Sequence, residues 1–132
     1  LDQYQVEADP SMLLEYETTN QTLQPYLLAK TLLRQPSRPT AFFCYNDQIA
    51  SMVITAARDC GLHVPQDLSV VGFDDSQKAI TSDIKLTSVV HPKIEMGRRA
   101  AAFMVDMLDN GQDNPQILYR PELVVRESCK NI

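Results

Sequence analysis

Ala41-Phe42-Phe43-Cys44-Tyr45-Asn46-Asp47 and Leu68-Ser69-Val70-Val71-Gly72-Phe73-Asp74-Asp75 close the two ends of the stretch, residues 39–75, whose reading decides the fold. Ala41 to Tyr45 is a short apolar, aromatic run of strand type that stops at the polar pair Asn46-Asp47. From there to Cys60 apolar residues recur at helical spacing, and Gly61 ends the helix. Leu68 to Phe73 is a second short run, rich in branched residues, that stops at Asp74-Asp75. Strand, helix and strand in this order predict parallel strands joined by a right-handed crossover. In an open parallel sheet, ligands collect in the crevice beyond the strand C-termini. Asn46, Asp47, Asp74 and Asp75 all lie at that edge.

Outward from this unit, Thr22 is placed to cap a helix with Pro25 in its first turn, running through Tyr26, Ala29, Lys30 and Leu33 to the prolines Pro36 and Pro39. Met12 to Tyr16 reads as a frayed edge or as part of a helix. On the other side, Ser76 to Asp83 reads as a polar loop, Leu86 to Val90 as a third strand and Lys93 to Asn110 as a helix stopped by Gly111. Gln116 to Arg126 reads as a closing strand, with Pro121 at a bend or edge. Two helices carry more apolar surface than one sheet needs. Asp47 to Cys60 has Ile49, Met52, Val53, Ala56 and Ala57 on one face with Ala50 and Ile54 beside it. Lys93 to Asn110 has one stripe at Met96, Ala100, Phe103 and Met107 and another at Gly97, Ala101, Met104 and Leu108.

The chain has 132 residues, 44% of them hydrophobic, which suits one small packed domain. Its net charge of −5 argues against a nucleic-acid surface, since phosphate contacts need clustered Lys and Arg. Cys44, Cys60 and Cys129 are odd in number and widely spaced, so they read as reduced thiols of a cytoplasmic protein. No apolar run reaches the length of a membrane span, and no basic-then-apolar leader is present. The chain opens at Leu1 without an initiator Met, as a piece of a longer protein would.

A set of short motifs carries a resemblance. Asn46-Asp47, Gly61-Leu62-His63-Val64-Pro65, Val70-Val71-Gly72-Phe73-Asp74-Asp75, Leu86-Thr87-Ser88-Val89, Met96-Gly97-Arg98 and Pro121-Glu122-Leu123-Val124 to Ser128 stand in one order and spacing. Together, from about residue 23 to the end, they resemble the C-terminal part of the effector-binding domain of the LacI/GalR family of bacterial repressors. The composition and the loop Tyr16-Glu17-Thr18-Thr19-Asn20 resemble the arabinose repressors, which join this domain to a winged-helix DNA-binding module. The resemblance implies an α/β fold of the periplasmic-binding-protein-like type I, with two lobes around a sugar cleft and an open parallel sheet flanked by helices. On this reading residues 1–22 are a lead-in and loop, 23–90 the C-terminal lobe, and 91–132 the hinge, the crossing helix and the closing strand. The apolar stripes of the helix from Lys93 to Asn110 then belong against the other lobe. In the isolated chain that helix is expected to fold back onto its own sheet or to pair with a second copy.

The resemblance implies that Asp74 accepts hydrogen bonds from sugar hydroxyls and that Asn46 contacts the effector. A carboxylate suits a vicinal diol, and an amide offers both donor and acceptor. The plainer alternatives are a loop cap for Asp74 and a turn-former for Asn46. His91 at the hinge could reach the cleft, as could Lys93, or could be an ordinary surface residue. Tyr45 and Tyr16 could stack on a sugar face or pack in the core, and Thr19 sits where the family places a further contact. Asp47 and Asp75 read as helix cap and loop brace. Ala50, Ser51 and Ile54 fall where the family forms its two-fold dimer contact. The implied function is a repressor's effector domain that binds a small carbohydrate, a pentose or hexose. Operator DNA is then reached only through an N-terminal domain outside this chain. A solute-binding protein for import is the rival reading.

Neither an enzyme nor a cofactor protein is expected. The chain has no Gly-rich phosphate loop and no Gly-x-Ser-x-Gly elbow, and neither His63 nor His91 is placed beside a Cys or Ser nucleophile. Two isolated His and three scattered Cys make no metal cluster.

Overall fold

The computed structural model describes residues 9–16, 23–111 and 116–131. Thr19 and Thr22 therefore lie outside the described residues. A short 3-10 turn, Pro10–Met12, precedes α1, Gln24–Leu33. Leu23 stands at the N-cap of α1 without a side-chain bond, and Pro25 sits in the first turn, where no amide is needed. Then come β1 Ala41–Phe43, α2 Asp47–Asp59, β2 Ser69–Phe73, α3 Gln77–Thr81, β3 Thr87–Val90, α4 Lys93–Asn110 and β4 Glu122–Val124. The sheet order is β1-β2-β3-β4. β1 with β2 and β2 with β3 are parallel, pairing Phe43 with Val71 and Phe73 with Val89. β4 runs antiparallel against β3, Leu123 opposite Val89. The sheet is thus mixed, with an antiparallel edge on the expected parallel core.

The central strand-helix-strand unit forms as the periodicity predicts, ending at Gly61 with φ 76°. The core lies where α1 and α2 cover the sheet, with Ala29, Leu33, Ala50, Val53, Ala56, Ala57, Leu68, Val70 and Leu86 buried together. Alanines at 50, 56 and 57 let α2 sit close on β2. Cys44 is buried in this cluster. Burial, reinforced by the nearby Asp47 carboxylate, pushes its thiol up to about 12, so it stays protonated and inert.

Three expectations need correction. Ser76 to Asp83 is not all loop, because Gln77–Thr81 makes one turn and a half of helix with Ala79 buried as its anchor. The closing strand is only Glu122–Val124, and Leu118 within the supposed strand stands 93% exposed. The helix α4 does not fold back. None of its described side chains is buried, and it makes no substantial contact with any other described element. Ile94 and Leu108 are 80% and 84% exposed, so its apolar stripes stand open.

The last residues tie the sheet together from behind. Ser128, fully buried, accepts from the Thr87 amide at 2.8 Å and donates to the Val70 carbonyl at 2.6 Å, bridging β2 and β3. Arg126 donates to the Leu86 carbonyl at 2.7 Å.

Candidate functional site

The site is assembled at the C-terminal ends of β1, β2 and β3, which deliver Asn46, Asp74 and His91 to one edge of the sheet. Each is where a branched or aromatic run gives way to polar residues, because a strand end cannot bury its last side chains under the helices. An open cleft of about 480 Å³ beside α4 is lined by Asp74, Asp75, His91, Lys93, Glu95 and Arg98, among others.

Asp74 is held in an uncommon conformation. Its φ is 99° and that of Asp75 is 45°, the left-handed side where a residue with a Cβ is strained by about 1–3 kcal/mol. Several bonds hold the turn in place. The Asp74 amide donates to the Val89 carbonyl at 2.9 Å, and the Asp75 amide to the Ser88 hydroxyl at 3.1 Å. The Asp75 carboxylate forms an ion pair with Arg126 at 2.7 Å, both side chains largely withdrawn from solvent. The Asp74 carboxylate is left facing the cleft, with Lys93 Nζ at 3.3 Å and His91 Nε2 at 3.9 Å. The His91 ring is tilted against Phe73, centroids 5.4 Å apart, and its buried Nδ1 has no partner among the described residues.

Beneath this edge lies Asp47. It is not the helix cap, as the sequence reading had it: Asn46 is, its Oδ1 accepting from the Ile49 amide at 2.9 Å. Asn46 Oδ1 is thus engaged in the cap, and its amide N–H groups are left to offer a ligand. Asp47 instead is 1% exposed, with Oδ1 accepting from the Ser88 hydroxyl and Oδ2 from the Ser76 amide, each at 2.6 Å. One carboxylate thus joins the segments following β1 and β2 to β3 itself. Gly72 makes room for it, since a Cβ there would lie 2.2 Å from Asp47 Oδ1.

Other candidates are placed elsewhere. Tyr45 is 81% exposed, so it is not core packing, and it shares a smaller groove of about 150 Å³ with Tyr16, Leu13 and Phe43. Ala50 is completely buried against its own sheet and cannot belong to a contact between copies. Ser51 and Ile54 do face outward, on a cleft of about 380 Å³ with Thr55, Arg58, Leu62 and His63. Arg126 and Ser88 were missed as braces of the site. Ser88 had a signal: a small polar residue inside a branched strand needs a buried partner.

The geometry has its counterparts. Residues 3–129 match the model of the periplasmic binding protein-like domain. An arabinose metabolism transcriptional repressor of Geobacillus stearothermophilus is 42% identical over 134 residues, covering 98% of this chain and 37% of the relative. This chain thus spans little more than a third of that protein's length. Among solved structures, a regulatory protein of the LacI family from Chloroflexus aggregans superposes with TM-score 0.85 at 29% identity, over 98% of this chain and 46% of that one. The transcriptional regulator CelR in complex with cellobiose gives TM-score 0.82 at 29% identity, over 92% and 37%. With the family model matched over residues 3–129 and regulators of known structure superposing over nearly the whole chain, the chain belongs to the family of periplasmic binding protein-like domains, in the form that LacI-family regulators carry.

Proposed function

We propose that this chain is the C-terminal part of the effector-binding domain of a bacterial, cytoplasmic transcriptional repressor, and that it senses a small neutral sugar without catalysing any reaction on it. Residues 23–90 form the lobe, and 91–132 the hinge, the crossing helix and the returning strand. The observation that carries the reading is the half-exposed Asp74 carboxylate, held on a strained turn at the end of β2 with His91 beside it, while Asn46 stands at the end of the neighbouring β1. A carboxylate acceptor beside an amide donor and an imidazole suits adjacent hydroxyls. The cations near it are already paired, Lys93 with Asp74 itself, Arg98 with Glu95 and Arg126 with Asp75, which favours an uncharged sugar over a phosphorylated one. The relatives named for arabinose and for cellobiose are regulators, which favours this role over solute import. Operator DNA would be met by a part of the whole protein outside this chain, and effector binding would shift its population between DNA-competent and incompetent states.

Calorimetric titration of the whole protein with L-arabinose, D-ribose, D-glucose and cellobiose tests the reading. One of them is expected to bind, and Asp74→Ala to weaken it by about 1–3 kcal/mol. Asn46→Asp keeps the helix cap and removes the amide donor, so it is expected to weaken binding while leaving the melting temperature in place. Full affinity in Asp74→Ala would discard the site, and no binding of any of these sugars would discard the class.

The outward face of α2 at Ser51 and Ile54 is proposed as a two-fold contact between copies. Ile54→Asp is then expected to sediment as a monomer, and a dimer of unchanged stability would move the contact elsewhere.

A further inference from the structure

We propose that Lys93 is a positioning residue for Asp74 and the latch through which an occupied site acts on α4. The proposal rests on the reading of Asp74 as the effector's acceptor. Lys93 Nζ donates to the Asp74 backbone carbonyl at 2.7 Å and stands 3.3 Å from its Oδ1. One ammonium thus grips both the peptide unit and the carboxylate of the residue whose φ is 99°. Fixing that carbonyl fixes the rotation of the peptide plane, and with it the direction in which the carboxylate faces the cleft.

The other end of the grip is on α4. Lys93 is the first residue of that helix, two residues beyond the His91 that follows β3. The remaining described side-chain bonds of α4 are internal, from Arg98 and Arg99 to Glu95. Among the described residues, the Lys93–Asp74 contact is therefore the one side-chain hydrogen bond or ion pair between α4 and the lobe. This one side chain thus links the first turn of α4 to the pose of Asp74.

An ammonium has donors only, and a hydroxyl that donates to Asp74 Oδ1 shares that oxygen with it or displaces it. Binding at that oxygen then changes the strength of the hold on α4. By linkage, whatever fixes α4 changes the affinity at Asp74 by the same factor.

The test uses the whole protein, with L-arabinose as probe and amide hydrogen exchange as readout, for the wild type, Lys93→Met and Lys93→Arg. In the absence of sugar, Lys93→Met is expected to speed exchange at residues 74–76 and 93–97 without lowering the melting temperature, and Lys93→Arg to restore protection. Lys93→Met is further expected to bind L-arabinose about tenfold more weakly, within the usual range of coupling between sites. The sugar-induced change in α4 exchange should disappear in it. Wild-type exchange at residues 74–76 in Lys93→Met would overturn the proposal whatever the sugar does, as would a sugar-induced change in α4 of wild-type size. If exchange responds to Lys93→Met but the wild type gives no saturable heat with L-arabinose, the grip on Asp74 is supported and that sugar is excluded as its effector.

Discussion

Asp47→Ala is expected to lower the stability of the lobe by about 3–5 kcal/mol, read as a lower urea midpoint with little change of slope. Two bonds of 2.6 Å end on this carboxylate, one from the Ser76 amide and one from the Ser88 hydroxyl. A charged acceptor contributes about 1.5–3 kcal/mol per bond, and of the two abandoned donors the Ser88 hydroxyl is fully buried and the Ser76 amide partly so. Against a typical total of about 5–15 kcal/mol this is a large share. The damage should also be local. Ser88 also receives the Asp75 amide, so its loss of Asp47 loosens the turn that presents Asp74. Faster exchange at residues 74–76 should thus accompany the drop. A midpoint within experimental error of wild type would show that the three segments are held together by packing alone.

Gly72→Ala is expected to cost about as much, although it adds a single methyl group. The new Cβ would lie 2.2 Å from Asp47 Oδ1, 3.3 Å from its Cγ and 3.4 Å from its Cα. A long side chain could swing aside, but Asp47 is short, and moving it breaks the same two bonds. Overpacking alone costs about 1–3 kcal/mol, and the lost bonds add to it. The two substitutions act on one network, so the double variant should be markedly less destabilised than the sum of the singles. Strict additivity in urea unfolding would refute the shared mechanism.

Much of this was legible in the chain because two patterns were strong. The alternation of a branched strand, a helix and a second strand located β1, α2 and β2, and the polar pairs Asn46-Asp47 and Asp74-Asp75 marked the ends that face the cleft. The misses have physical causes. An Asp in the first turn of a helix ordinarily serves the exposed end, so the burial of Asp47 left no mark in periodicity. Gly72 did leave one, since a glycine inside a strand signals a close approach, but not the identity of what approaches. α3 is too short for a helical period to emerge, and its single buried residue, Ala79, gives no stripe. Gln116 to Arg126 was read too long because apolar residues such as Ile117 and Leu118 promise a buried strand, whereas both are exposed. Which residue of the neighbouring pair caps α2, and which is locked beneath the sheet, depends on contacts 29 and 41 residues away.

The Ser128 bridge also bears on when this lobe can become native during synthesis. Its hydroxyl reaches Val70, 58 residues earlier, and Thr87, 41 earlier, after the chain has left the sheet through α4 and returned. β2 and β3 can pair as soon as they emerge, yet the polar groups behind them stay open until Ser128 has left the ribosome. Contacts of such long sequence separation are entropically dear to close and slow the passage to the final state. A nascent chain halted before Arg126 would hold the strands and helices in order while lacking the clasp that joins them, and that is the species a chaperone or a protease would meet first.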